Sequence, residues 1–218
     1  MDTYEFEREF DIEFNNIMSN AAPSIDAYEK SVFLTKAEEE IAISLYTGSF
    51  ELTENATEYL SVLVCTEQFD SNAAISIDAS KKISANSKFF KLAEDALFIT
   101  YEAIELKKAN DCGEKVEIRV KPAKQDEYHN VSKNPFRRPR TREALRFNTE
   151  DMLEVVSTYP DYIYKVRYMR KPKPIVLYDQ EGLTINGVCH RTECELDSSL
   201  HRKILERAVQ LAALAYKQ

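Results

Sequence analysis

The sequence predicts an α+β fold in which helices at both ends of the chain flank a mostly antiparallel sheet. Apolar residues recur at helical spacing in residues 1–48 and again in 197–218, whereas the middle of the chain holds short runs of alternating apolar and polar residues. Helices and strands are thus segregated along the chain, unlike in a parallel βαβ repeat. We expect one structural domain over residues 1–218, with 1–48 as a helical N-terminal region and 197–218 as a C-terminal helix.

The first helix carries an aromatic stripe. Its apolar residues recur at helical spacing, and acidic residues occupy the other faces. The stripe consists of Phe6, Phe10, Phe14, Ile17 and Met18. Because an acidic amphipathic helix has little to bury against in isolation, we expect Phe6, Phe10 and Phe14 to contact a second subunit or another partner.

Helix boundaries can be read between residues 26 and 48. Asp26 followed by Glu29 is a capping-box signature that predicts the start of a second helix. Thr35 followed by Glu38 repeats the signature and predicts a further start. Gly48 predicts the end, because glycine readily adopts the left-handed conformation of a helix C-cap. Residues 1–48 are therefore expected to form two or three helices.

The middle of the chain is rich in strand-forming residues. Residues 96–109 and 114–123 flank a turn signal at 111–113, so we expect an antiparallel pair. In the second run the apolar positions alternate with charged ones and comprise Val116, Ile118 and Val120. Residues 162–178 contain two more strand-like runs, interrupted by Pro172 and Pro174, which predict a sheet edge or a bend. The first of these runs places four bulky side chains on one face, namely Tyr162, Tyr164, Val166 and Tyr168.

The end of the chain predicts a small meander followed by a helix. Asn186–Gly187 is a turn signal beside a short apolar run. Asp197 or Ser198 is expected to cap an amphipathic helix. The main apolar stripe of this helix comprises Leu200, Ile204, Ala208, Leu211 and Ala215.

The net charge of −8 hides an asymmetry along the chain. Residues 1–70 hold 16 Asp/Glu against 3 Lys/Arg, a local net charge of −13, whereas residues 119–173 hold 14 Lys/Arg against 7 Asp/Glu, a net of +7. Oppositely charged faces suit head-to-tail packing of identical subunits, which closes into a ring when the rotation permits. Two ordinary solvated surfaces are the alternative interpretation.

Composition disfavours several classes of protein. Only 4 glycines are present, which argues against phosphate-cradling loops. No apolar run is long enough to cross a membrane, and we expect neither a signal peptide nor a membrane partner. The 4 cysteines are too few and too scattered for a disulfide framework, so a reducing cytosol is expected where the chain is made.

Candidate chemical sites are weak. Cys189, His190, Cys194 and His201 lie close in sequence, but their spacing is not a standard zinc pattern, and we interpret them as ordinary residues. Glu105 and Lys107 form an E-x-K string, as some metal-dependent nucleases do, yet strand alternation explains it. We therefore expect no catalytic residues, no metal and no cofactor.

A basic cluster is the most distinctive local feature. It lies beside Phe136 and comprises Arg137, Arg138, Arg140, Arg142 and Arg146. Three interpretations remain open: contacts with nucleic-acid phosphates, contacts with an acidic protein surface, or a solvated loop. We select Arg137, Arg138, Arg140 and Arg142 as candidate contacts with a subunit or partner.

Four blocks of the sequence resemble a structural protein of crAss-like bacteriophages. They are residues 10–48, 134–146 ("NPFRRPRTREALR"), 162–179 ("YIYKVRYMRKPKPIVLYD") and 192–216 ("TECELDSSLHRKILERAVQLAALAY"). They cover roughly half of the chain, including both ends. The combination, in this order, is more specific than any single block.

This resemblance implies a ring-forming protein of the head-to-tail connector. Such a subunit has no enzymatic activity and joins copies of itself, about twelve if it matches the portal's symmetry. Its further partners would be the portal protein, the next tail or connector ring, and packaged DNA that passes through the channel without sequence-specific binding. The protein would be made in the host cytoplasm and reside at the portal vertex of the virion.

The alternative function is a nucleic-acid-binding accessory protein that uses the arginines of residues 137–146. The sequence pI of about 5.1 counts against it, because dedicated DNA-binding domains are usually basic.

Overall fold

The protein folds into two compact units. A computed structural model describes residues 1–18, 24–48, 56–107, 115–128, 143–179 and 182–216. Unit 1 comprises Met1–Leu63 and Lys171–Gln218, and unit 2 comprises Val64–Arg170. Helices and a mostly antiparallel sheet are both present, which confirms the predicted α+β class. That residues 1–218 behave as one structural domain stays a prediction.

Unit 1 is built from helices at both ends of the chain. Its helices are α1 (Thr3–Met18), α2 (Ala27–Thr47), the short α3 (Ala56–Tyr59) and α4 (Ser198–Tyr216). Both α1 and α2 pack against α4. The predicted helical N-terminal region and C-terminal helix are therefore confirmed.

The predicted limits of α2 are confirmed at both ends. The Asp26 side chain accepts a hydrogen bond from the backbone N–H of Glu29 at 2.7 Å, and the Glu29 carboxylate accepts one from the backbone N–H of Asp26. Gly48 ends the helix at φ 71°, and its N–H donates to the carbonyl of Ser44. These local signals fix the helix because they satisfy backbone groups that a helix end leaves unpaired.

The predicted helix start at Thr35 and Glu38 is wrong, because α2 runs unbroken through both residues. The Thr35 hydroxyl instead donates to the carbonyl of Ser31 at 2.8 Å and accepts from the backbone N–H of Ile175 at 3.1 Å. Thr35, which resembled a helix cap in the sequence, therefore attaches the buried segment around Ile175 to the middle of α2.

Asp197 takes the predicted capping role for α4, since its carboxylate accepts from the N–H of Ser199 at 2.9 Å. The buried stripe matches the prediction over the first three turns and then turns away from Leu211 and Ala215. Its members are Leu200, His201, Ile204, Leu205, Ala208, Val209, Ala212 and Ala213.

Unit 2 is a seven-stranded sheet with the order β1-β7-β3-β4-β5-β6-β2. Neighbouring strands are antiparallel except for β4 and β5, which are parallel. The strands are β1 (Val64–Asp70), β2 (Ser87–Lys91), β3 (Ala96–Leu106), β4 (Glu117–Pro122), β5 (Glu143–Thr149), β6 (Met152–Val156) and β7 (Tyr162–Arg170).

The predicted antiparallel pair is β3 and β4, although only three residue pairs join them, from Ala103 with Arg119 to Glu105 with Glu117. The predicted apolar face of β7 is buried, but β7 lies between β1 and β3 and is not an edge strand. Pro172 and Pro174 follow its last residue, where the chain passes from unit 2 into unit 1. The prolines therefore mark a strand end.

Aromatic side chains fill the inner face of the curled sheet. The Phe90 ring lies 5.2 Å from Tyr164 and 5.6 Å from Phe69, measured between ring centroids. Phe69 belongs to β1 and Phe90 to β2, the two ends of the strand order. The two edges of the sheet therefore approach each other over this core.

Candidate assembly surfaces

The phenylalanine stripe of α1 lies inside unit 1. Phe6, Phe10 and Phe14 are 1%, 0% and 3% exposed. The Phe6 ring lies 5.3 Å from that of His201, and the Phe14 ring lies 6.2 Å from that of Tyr216, so the stripe packs on α4. Contact with a second subunit stays a prediction, and it requires that α1 of one copy pack on α4 of another.

The opposite side of α1 is acidic and exposed. Glu5 and Glu9 face solvent, together with Ile12 at 52% exposure. Asp11 and Glu7, nearer to α2, lie 2.8 and 3.7 Å from the Lys30 ammonium, which they hold in an almost buried position. The solvent-facing acids therefore remain available to a cationic partner.

The charge asymmetry of the sequence coincides with the division into units. Unit 1 contains 20 Asp/Glu and 10 Lys/Arg, a net charge of −10. Unit 2 contains 17 Asp/Glu and 19 Lys/Arg, a net charge of +2. Each copy thus presents a strongly acidic body and a weakly basic one.

The outer face of the sheet carries cross-strand ion pairs. Glu105 accepts from Lys115 at 2.7 Å and from Lys165 at 2.5 Å, and these hydrogen bonds lower the pKa of its carboxyl. Lys107 binds the Asp70 carboxylate at 2.7 Å. The E-x-K string of the sequence therefore lies at the end of β3, where Glu105 pairs with Lys165 of β7 and Lys107, one residue past the strand, pairs with Asp70 of β1.

The Arg146 side chain lies on the inner face of the sheet, largely buried, and not on the protein surface. Its Nε lies 2.9 Å from a carboxylate oxygen of Glu102, which also accepts a 2.5 Å hydrogen bond from the Tyr164 hydroxyl. Both members of the ion pair are largely buried. Burial, reinforced by Glu102, raises the pKa of Tyr164 far above its ordinary value. The other candidate arginines, Arg137, Arg138, Arg140 and Arg142, lie outside the described residues.

The cysteines and histidines near residue 190 do not come together as a metal site. Cys189 and His190 are exposed, whereas Cys194 donates to the Glu38 carboxyl at 3.2 Å. The His201 ring hydrogen-bonds with the carbonyl of Leu196 at 3.0 Å. Among the described residues, no group of three or more His, Cys, Asp or Glu side chains is placed to hold a metal ion.

Three buried acids, Glu38, Glu102 and Glu154, were not identified from the sequence, although Glu38 and Glu102 could have been. Both carried a signal, because each occupies a position at which the apolar stripe of its element would have an apolar residue. Glu38 falls between Leu34 and Ile41 on α2, and Glu102 falls two residues before Ile104 on β3. An acid on a buried stripe requires a partner within the fold.

Comparison with known proteins identifies the family. The model of the phage tail ring protein 3/4 family matches residues 1–218. The chain belongs to this family. It is 39% identical to Ring protein 3 of Bacteroides phage crAss001 over 228 residues, which cover 100% of the chain and 97% of that relative. It is also 33% identical to Ring protein 4/5 of the same phage, over 100% of the chain and 94% of the relative.

The resemblance to crAss-like phage proteins is thus confirmed. As a phage tail ring protein, the chain is a structural component of the virion. None of the helices in the described part of this ring protein is long and apolar enough to span a membrane.

Proposed function

We propose that this ring protein forms a closed ring in the head-to-tail connector, between the portal and the tail, and extends the channel through which DNA passes. Its role is geometric and involves no catalysis. The division of charge between a unit of net −10 and a unit of net +2 is the observation that carries the proposal. It supplies two unlike surfaces on every copy, as a heterologous contact requires.

The ring closes through repetition of one contact. The acidic exposed side of α1 meets the basic surface of unit 2 in the next copy, and the residues of 133–142 contribute to that surface. Charge complementarity fixes the orientation of neighbours and speeds their encounter, while apolar contacts supply most of the affinity. About twelve copies complete the ring if it matches the portal's symmetry. The portal protein and the next ring of the tail bind its two ends.

The proposal is tested by the size of the purified chain at two ionic strengths. Native mass spectrometry or analytical ultracentrifugation should show closed oligomers at about 0.05 M salt and fewer at about 1 M, because salt screens exposed charges beyond a few ångströms. A chain that remains monomeric at every concentration and salt, alone and with portal protein, would contradict the proposal.

A further inference from the structure

The edge strand β1 lacks a partner on one side. It pairs with β7 over all seven of its residues, Val64–Asp70, without a register shift. No strand or isolated bridge in the described part of the chain pairs with its other side. Every second backbone N–H and C=O of β1 therefore points away from the sheet, an arrangement that favours pairing with another chain.

The opposite edge strand, β2, is protected against such pairing. Ile75 forms an antiparallel bridge with Phe89, and its N–H donates to the Phe89 carbonyl at 2.9 Å. Lys88 and Lys91 place two ammonium groups on the same five-residue strand. Short length, lysines and a covering segment are common means by which proteins block an exposed strand edge.

A third free edge, the first half of β3, is also disrupted. Within the described ranges, β4 pairs only with Ala103–Glu105, so β7 is the single strand neighbour found there for the preceding residues of β3. Register shifts between Ala96 and Phe98 and between Ile99 and Tyr101 distort this half. Such irregularities twist an edge away from a flat pairing partner.

By contrast, β1 contains no proline, no lysine and no register shift. Its one inward-facing charge, Glu67, already accepts a 2.7 Å hydrogen bond from the Tyr168 hydroxyl. Phe69 is only half-buried on the inner face, and Val64 is 38% exposed, so an added strand would cover apolar surface. The Phe69 ring lies 5.6 Å from that of Phe90 on β2, so we take Val64–Glu67, away from this contact, as the open stretch of the edge.

We propose that the outer edge of β1, from Val64 to Glu67, hydrogen-bonds to an extended segment of a neighbouring copy of this chain. This inference rests on the proposed ring. A subunit of a ring has an identical neighbour at each such edge, and one unblocked edge per copy suits a heterologous contact. The charges also fit, because Val64–Glu67 contains the acid Glu67 and no base, whereas residues 119–173 of the neighbour have a net charge of +7.

Hydrogen exchange measured by mass spectrometry tests the pairing in the unmodified chain. In the unassembled subunit, the outward amides of β1 should exchange within seconds. In the ring, peptides that cover Val64–Glu67 should exchange at least about tenfold more slowly, because those amides gain hydrogen bonds. Peptides that cover β2 (Ser87–Lys91) provide the control, and their exchange should change little on assembly.

Two adjacent proline substitutions test the same edge. Neighbouring residues of a strand direct their N–H groups to opposite sides, so one of Cys65→Pro and Thr66→Pro removes an N–H from β7 pairing and the other removes an outward one. The variant that loses the N–H paired with β7 should have a lower Tm. The variant that loses the outward N–H should have a nearly unchanged Tm, because proline is tolerated on an edge strand, but it should not form rings.

The outcomes separate the two proposals. A wild-type chain that forms no ring contradicts the proposed function itself. A ring in which β1 exchanges as fast as in the free subunit overturns only the edge-pairing proposal, as does normal assembly of the proline variant with unchanged Tm. If both prolines prevent folding, the exchange measurement on the wild-type chain still decides.

Discussion

The Glu38 carboxyl accepts a hydrogen bond from Sγ of Cys194 at 3.2 Å, which joins α2 to the segment before α4 within unit 1. Glu38 is fully buried, and its second oxygen has no partner among the described residues. Burial raises the pKa of this carboxyl from 4.5 to about 8. The folded protein therefore holds a proton on Glu38 under conditions in which the unfolded chain has released it.

Unit 1 should lose stability as the pH rises because of Glu38. Because folding raises the pKa of Glu38, the stabilisation that protonated Glu38 gives to the folded state is complete below about pH 4.5 and is lost as the pH rises through about 8. The unfolding free energy should fall by at most about 1.4 kcal/mol per pH unit in this range. Urea unfolding of the unassembled chain between pH 5 and pH 9 measures it.

Glu38→Gln should flatten this pH dependence, since an amide is neutral throughout. Glu39→Gln is the matched control, because that side chain is half-exposed on the same turn and accepts from Asn186. An unchanged pH dependence in Glu38→Gln would contradict the assignment.

Arg146→Met should destabilise unit 2 by about 3 kcal/mol, because it leaves the buried Glu102 carboxylate without its cation. The double variant Glu102→Gln with Arg146→Met should recover part of the loss. Arg167→Met, which changes an exposed arginine of β7, is the control and should shift the unfolding free energy by less than about 0.5 kcal/mol. Equal stability of Arg146→Met and Arg167→Met would show that the ion pair does not support the fold.

Phe10→Ala should lower the unfolding free energy of the free subunit by about 3–5 kcal/mol, since the removed ring leaves a cavity between α1 and α4. Ile12→Ala on the exposed side of α1 should change it by less than about 0.5 kcal/mol. If the phenylalanine stripe instead binds a neighbour, Phe10→Ala should spare the free subunit and weaken only the ring. Comparing Tm before and after assembly distinguishes the two cases.

Reversing the charge of three arginines tests the proposed contact between the basic cluster and the acidic surface of the next copy. The triple variant Arg137→Glu, Arg138→Glu, Arg140→Glu should fold normally but shift ring assembly to higher protein concentration, because it places acids opposite the acidic surface of the next copy. The control makes the same change in charge elsewhere in unit 2, at Lys81, Lys82 and Lys91.

Unchanged assembly of the arginine triple variant would remove this cluster from the subunit contact. If the same variant instead loses a steeply salt-dependent affinity for DNA while rings persist, the nucleic-acid interpretation is favoured.

Local signals in the sequence predicted local structure well. The capping box at Asp26, the C-cap at Gly48 and the alternation along β7 each act within a few residues, and each is confirmed. The same approach failed at Thr35, where a residue with a capping signature bonds to Ile175, 140 positions away. Nothing within a sequence window distinguishes these two uses of threonine.

Features that depend on distant pairing were not predictable. The strand order places β7 between β1 and β3, and Arg146 of an apparently exposed basic cluster pairs with Glu102, 44 residues earlier. The phenylalanine stripe was recognised as needing a cover, but its spacing could not reveal that α4 of the same chain supplies one. The sequence offers many residues of the same type that could form each of these contacts, and only the complete fold determines which of them does.

The most direct test of the account is structure determination of the tail-bearing vertex in purified particles, with this chain traced from side-chain density. The account predicts a closed ring of this chain between portal and tail, with unit 1 of each copy against unit 2 of the next and a DNA channel along the axis. Absence of the chain from that vertex, or a ring joined through like-charged surfaces, would contradict it.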